Sequence, residues 1–137
     1  MKTDIKALLA ALSVAVCLSA TISQAATRKC KEDPTIVDKC FTVHGRMFFS
    51  NGTPSLRILK LGSKRILGVV PSEAENIPED IEKAMTPYRR LYADFLVCPH
   101  TKEQEHTMQN VCVESATNVV IEELDETGKV TRSYRLK

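Results

Sequence analysis

Apolar and polar residues alternate one by one in the segment FTVHGRMFFS, residues 41–50. The alternation places Val43 and Met47 on one face of an extended chain, and His44 and Arg46 on the other. This period of two is typical of a strand that is buried on one side only. The segment therefore predicts a first strand with a polar outer face.

Turn-forming pairs divide the next residues into two further strands. Asn-Gly and Gly-Ser pairs favour hairpin turns, because glycine accepts the positive φ that such turns need. The turns and strands lie, in chain order, at Asn51-Gly52, 55–61, Gly62-Ser63 and 64–70. This order predicts a three-stranded meander.

One short helix and more strands are predicted after the meander. The segment PEDIEKAM, residues 78–85, begins with proline and acidic residues, which favour the first turn of a helix. Later strands are predicted at about 90–97, at 109–124 with a bend near Ser115-Ala116, and at 130–136. About six strands, with a helix between the third and fourth, indicate a mainly β fold. Two architectures fit, a small antiparallel barrel of OB-like type or a sandwich.

Residues 1–25 predict an export signal rather than a folded element. Lys2 and Lys6 precede an uncharged apolar run, and small residues end at Ala25, after which we expect cleavage. The apolar run is about sixteen residues long, shorter than the ~20 that a spanning helix needs. Cleavage is therefore favoured over a retained membrane anchor, and the protein is predicted to be periplasmic or secreted.

The predicted mature chain is one domain, with a polar lead-in at 26–39 and a β-rich part at 40–137. The whole chain has 19 basic and 17 acidic residues, and removing residues 1–25 leaves 17 and 16, a net charge of +1. Domains that bind nucleic acid carry a basic excess, so this balance argues against such a partner. No later apolar run is long enough to span a bilayer.

Four cysteines remain after export: Cys30, Cys40, Cys98 and Cys112. An even number in a small exported domain predicts two disulfides, for which three pairings are possible. Pairs that each bracket one short segment, Cys30–Cys40 and Cys98–Cys112, are the preferred expectation. Such loops of about 11 to 15 residues would each stabilise the fold by about 3 kcal/mol.

The polar face of the first strand is the leading candidate for a ligand-binding site. His44 and Arg46 share this face, and Arg57 on the next strand could join them to bind an anionic group. The competing interpretation is an ordinary solvated face, since polar cross-strand pairs are common on one-sided sheets.

A second basic group, Lys60, Lys64 and Arg65, flanks the predicted Gly62 turn. It could meet a phosphate group or an acidic lipid surface. Charges that protect a hairpin from edge-to-edge association are the commoner explanation.

The sequence contains no recognised motif for catalysis, a cofactor or a metal. Cys98, His100, His106 and Cys112 lie close in sequence, but their spacing matches no zinc pattern. Disulfide formation would also remove the thiolates. We therefore predict no catalytic residue, no cofactor and no metal.

The blocks CFTVHGR, NGTPSLRI and GSKRILGV, followed by DFLVCP and MQNVCVESATN, resemble a family of small exported bacterial proteins without an assigned role. The resemblance covers about residues 40–120. It implies export and brings no active site, cofactor or partner.

Together these features favour an exported, disulfide-stabilised β-domain that acts by binding, with a small anionic ligand or another exported protein as partner. One alternative is a structural or inhibitory module that presents a hairpin or sheet edge to another exported protein. Another is a small hydrolase with a dispersed site, which would need one of His44, His100 and His106 as its base.

Overall fold

A computed structural model describes residues 29–70 and 77–136. The predicted signal lies outside the described residues. The elements are a 3₁₀ turn (Cys30–Glu32), β1 (Phe41–Phe49), β2 (Leu56–Lys60), β3 (Ile66–Val69), α1 (Glu79–Ala84), β4 (Arg89–Pro99), β5 (Gln109–Leu124) and β6 (Val130–Arg135). The predicted strands and their order are confirmed, as is a mainly β fold.

The short helix α1 lies between β3 and β4, where the sequence predicts it. Pro78 occupies the N-cap position and not the first turn. Glu79 and Lys83 form an ion pair one turn apart on the exposed side. On the other side Ile81 is 1% exposed and belongs to the main core, so tertiary packing holds this six-residue helix in place.

The sheet closes on itself. Its strand order is β3-β2-β1-β4-β5-β6, and β3 also pairs with β5. This last pairing is parallel and runs from Leu67 opposite Gln109 to Val69 opposite Val111, whereas the other pairings are antiparallel. Five strands thus form a closed ring, which corresponds to the barrel and not to the sandwich of the two predicted architectures.

Inward-facing side chains fill this ring. Phe95, Met47 and Ile58 are each 0% exposed and are among the largest buried residues. Gly45 of β1 lies between the neighbouring side chains, since a Cβ there would come within 2.6 Å of Ile58 Cγ2 and 3.5 Å of Phe95. The glycine in the middle of β1 is therefore required by close packing, not by a turn.

Two irregularities in β5 flank the predicted bend at Ser115-Ala116. The register with β4 shifts on both sides of this pair. The second shift inserts an additional residue near Asn118, which has a positive φ of 56°. Such a bulge bends the strand and redirects its side chains, and here it turns Asn118 toward β4.

The predicted disulfide pairing is wrong, although two disulfides are present. The bonds are Cys30–Cys112 and Cys40–Cys98. Phe41 of β1 lies opposite Val97 of β4. Cys40 precedes Phe41 and Cys98 follows Val97, so the antiparallel pairing brings the two cysteines together, with a Cα–Cα distance of 4.1 Å. The preference for short loops failed because it could not include this pairing of β1 with β4, which are distant in sequence.

The lead-in is consequently bound to the outside of the sheet and not to itself. Cys98 and Cys112 are opposite each other in the β4–β5 pair, and each turns to a cysteine of the N-terminal segment. The backbone N–H of Val37 also donates to the carbonyl of Pro99 at 2.9 Å. A small second core forms there from the buried cysteines and Ile36.

Two disulfides that cross long sequence separations indicate folding in an oxidising environment. Within the described part of the chain, α1 is much too short to cross a bilayer, and no helix meets the length and hydropathy that a membrane span requires.

Candidate functional site

His44, the first predicted site residue, belongs to a polar cluster with Asp94 and Asn118 on the outer face of the sheet. Its Nδ1 lies 2.8 Å from Oδ1 of Asp94, the residue directly opposite on β4. Asn118, turned toward β4 by the bulge in β5, donates its side-chain amide to Oδ2 of Asp94 at 2.7 Å. The carboxylate therefore accepts one hydrogen bond on each oxygen.

These bonds stabilise the ionised form of Asp94. The amide of Asn118 first, and the imidazole of His44 second, lower the pKa of Asp94 from its ordinary value. Because the pKa is lower in the folded than in the unfolded chain, the carboxylate stabilises the fold above its unfolded pKa. That contribution is lost as the pH falls through the folded pKa.

We expect His44→Ala and Asn118→Gly each to raise the pKa of Asp94 toward its ordinary value. Glycine is chosen because it accepts the positive φ at this position. A carboxyl-detected NMR titration measures the change. Asp125, whose pKa is lowered by the Thr127 hydroxyl and nearby backbone amides, is the internal control and should not move. An unchanged Asp94 titration in both variants would contradict the assigned hydrogen bonds.

Arg57 lies apart from His44. It pairs with Phe48, four residues beyond His44 along β1, which corresponds to about 13 Å. Its Nε donates to the carbonyl of Pro54 at 3.0 Å and its Nη2 to that of Asn51 at 2.9 Å. Arg57 therefore holds the β1–β2 turn, and a role for it in ligand binding stays a prediction.

Arg46 lies between these two residues. Its guanidinium lies over the ring of Phe48, 5.4 Å from the centroid. Its Nε is buried and has no hydrogen-bond partner, and none of the described residues forms an ion pair with Arg46. Of the three predicted site residues, Arg46 is the one whose side chain forms no hydrogen bond or ion pair with another described residue.

Arg46 belongs to a row of half-buried side chains that crosses four strands. The register places Tyr92 of β4, Arg46 of β1, Leu59 of β2 and Ile66 of β3 side by side. Each of them is partly exposed on the outer face. We call these four residues the outer row. It is more apolar than a solvated sheet face needs to be.

Of the three basic residues at the β2–β3 hairpin, only Arg65 forms an ion pair with another described residue. Arg65 donates to Glu103 and, at 3.1 Å, to Oε1 of Gln109. Lys60 and Lys64 are exposed, and the ammonium group of neither forms an ion pair among the described residues. The pairing of Arg65 shows that the loop after β4, residues 100–108, lies against this hairpin.

Two cavities lie where this loop meets the hairpin. One has a volume of about 380 Å³ and the other of about 170 Å³. Arg65 borders both, and neither is lined by His44, Arg46 or Arg57. The concave surface therefore lies at the β2–β3 hairpin, which the sequence singled out only by its basic residues.

The cysteine and histidine residues considered for a metal are otherwise engaged or dispersed. Cys98 and Cys112 are in disulfides, and Nδ1 of His100 lies 2.9 Å from the Thr35 hydroxyl. In residues 29–70 and 77–136 no group of three or more His, Cys, Asp or Glu side chains is arranged to hold a metal ion.

The sequence interpretation missed Asp94, Asn118 and Glu103. Asp94 is an acidic residue within the otherwise apolar run of β4, and this was the one feature of the sequence that could have marked it as a site residue. Its partners depend on the β1–β4 register and on the β5 bulge, which a local pattern does not encode.

Comparison with known proteins finds no match to the chain among protein-family models, curated proteins or solved structures.

Proposed function

We propose that this protein is a periplasmic or secreted binding module built on an OB-like barrel. The closed ring of strands, with α1 between β3 and β4, supports the OB-like assignment. The signal-like residues 1–25, the two disulfides and the resemblance to small exported bacterial proteins support export. The fold alone assigns no ligand, so the proposal depends on the surface.

The observation that carries the binding role is the outer row. Four adjacent strands at a spacing of about 4.8 Å make the row about 14 Å long, which matches about four residues of an extended peptide. Leu59 and Ile66 offer apolar contact, and Tyr92 offers an amphipathic ring. The proposed ligand is an extended segment of another exported protein.

Arg46 supplies the polar recognition in this row. Arg46 is half-buried and forms no ion pair with another described residue, so the exposed part of its guanidinium can donate to an acceptor that a ligand supplies. The ring of Phe48 holds the guanidinium in place before binding. A peptide carbonyl or an acidic side chain of the ligand is the expected acceptor.

In-cell photo-crosslinking tests the proposal. A photoreactive residue in place of Leu59 should give a discrete cross-linked species in cells that export the protein. The same residue in place of Tyr88, which is 59% exposed outside the row, should not. Adding Arg46→Gln should reduce the Leu59 product about tenfold, because a charge-assisted hydrogen bond is lost.

Arg132→Gln is the matched control, because Arg132 also lies over an aromatic ring, that of Tyr134 at 4.9 Å, but on β6. It should leave cross-linking at position 59 unchanged. Equal products at positions 59 and 88, or a product that survives Arg46→Gln, would remove the outer row as the binding surface.

The edge strand β6 favours the alternative of a partner module that presents a sheet edge. Among the described strands β6 pairs with β5 alone, and five of its six residues are exposed. A photoreactive residue in place of Ser133 examines this edge. Cross-linking there that is lost in Arg132→Gln, with none at position 59, would select the edge over the outer row.

A further inference from the structure

The larger cavity lies between β3 with its hairpin and the loop that joins β4 to β5. Its volume of about 380 Å³ falls within the range of small-molecule sites. Its lining combines cationic, hydroxyl and amide groups with two apolar side chains: Lys64, Arg65, Gln104, His106, Thr107, Ile66 and Met108, with Glu105 as its one acid. The mixture suits a ligand that has both a charged and an apolar part.

Arg65 also lines the smaller cavity. The second cavity, of about 170 Å³, is lined by Arg65 together with the apolar Phe41, Val43 and Leu67, and by Lys60 and Glu103. The same residue therefore borders both spaces. A ligand whose charged group binds Arg65 can therefore place an apolar part against apolar side chains in either cavity.

The two partners of Arg65 differ in how firmly they are held. Gln109 is 5% exposed, and its Nε2 donates to the carbonyl of Thr101 at 2.9 Å. That bond directs Oε1 toward Arg65, which orients the guanidinium. The side chain of Glu103, by contrast, is 67% exposed. Exposed ion pairs contribute little, so a ligand anion can replace Glu103 while Gln109 keeps Arg65 in position.

We propose that this cavity binds a small amphipathic anion, a carboxylate or phosphate group on a short apolar body. Arg65 is the anion-binding group, and Glu103, which lines the smaller cavity and pairs with Arg65 there, is the internal counterion that the ligand displaces from the guanidinium. Lys64 adds a second cation at the rim, since it is exposed and has no ion pair among the described residues. Ile66 and Met108 contact the apolar body. The site adjoins the outer row, with which it shares Ile66, but its anion-binding group is Arg65 and not Arg46.

Titration of the folded protein with four probes tests the ligand class by backbone-amide NMR. Hexanoate and hexyl phosphate should produce saturable shifts at residues 64–66 and 104–108. Hexanol lacks the charge and inorganic phosphate lacks the apolar body, so each should bind at least about tenfold more weakly. The better of the two hexyl anions distinguishes a carboxylate from a phosphate ligand. No saturable shift with either of them, or equal affinity for inorganic phosphate, would overturn the proposal.

Substitution of Glu103 gives the sharpest test, because a structural role and a counterion role predict opposite results. Glu103→Gln should tighten binding of the preferred hexyl anion by about two- to fivefold, since the competing carboxylate is removed. Arg65→Gln should weaken it at least about tenfold. Arg132→Gln is the control that should leave the affinity unchanged. If Arg65→Gln does not fold, Glu103→Gln decides alone, and unchanged or weaker binding in it would refute the proposal.

Discussion

Replacing Cys40 and Cys98 together by alanine is expected to lower the free energy of unfolding by about 4 kcal/mol. The bond joins residues 58 positions apart, and the chain-entropy model gives about 4 to 5 kcal/mol for loops of this size. The loss is a large fraction of the 5–15 kcal/mol that keeps a typical domain folded. Urea unfolding of the oxidised wild type and of the variant, followed by circular dichroism, measures it.

The matched variant Cys30→Ala/Cys112→Ala removes the other bond, which spans 82 positions, and should cost a similar amount. Peptide mapping without reduction checks the connectivity directly, because each of the four cysteines lies on a separate tryptic peptide. Wild-type protein that yields the Cys98 peptide joined to the Cys112 peptide would contradict the structure. An unchanged urea midpoint in both variants would contradict the stabilising role.

Phe95→Ala is expected to destabilise the protein by about 3 to 5 kcal/mol. Phe95 is 0% exposed at the centre of the barrel, where loss of a phenyl ring removes apolar burial and leaves a cavity. Its neighbours belong to paired strands of a closed ring, so they have little freedom to collapse into the space. The midpoint of urea unfolding should fall with little change in the slope.

Phe49→Ala is the control for this prediction, because Phe49 ends β1 and is 39% exposed. The same change there should cost no more than about 1 kcal/mol. Equal losses in the two variants would mean that the centre of the barrel does not lie where Phe95 is.

Local pattern predicts the elements well but leaves the site incomplete. The alternation in residues 41–50, the glycine turns and the acidic start of α1 each depend on neighbouring residues, and each agrees with the structure. The proposed cluster of His44, Arg46 and Arg57 required two strands to be placed in register. Arg57 instead pairs with Phe48 and bonds to the turn, because a shift of a few residues along a strand changes a neighbour into a distant group.

The sequence by itself determined the mainly β class, the approximate extent of each strand, the position of α1 and the presence of two disulfides. Periodicity, turn chemistry and cysteine number are local properties, so one chain is enough to read them. Only the tertiary structure decided which cysteines pair, that Asp94 bonds to both His44 and Asn118, and that Arg65 lines two cavities. These contacts join residues far apart along the chain, and they follow from ring closure and the β1–β4 register, which no short segment specifies.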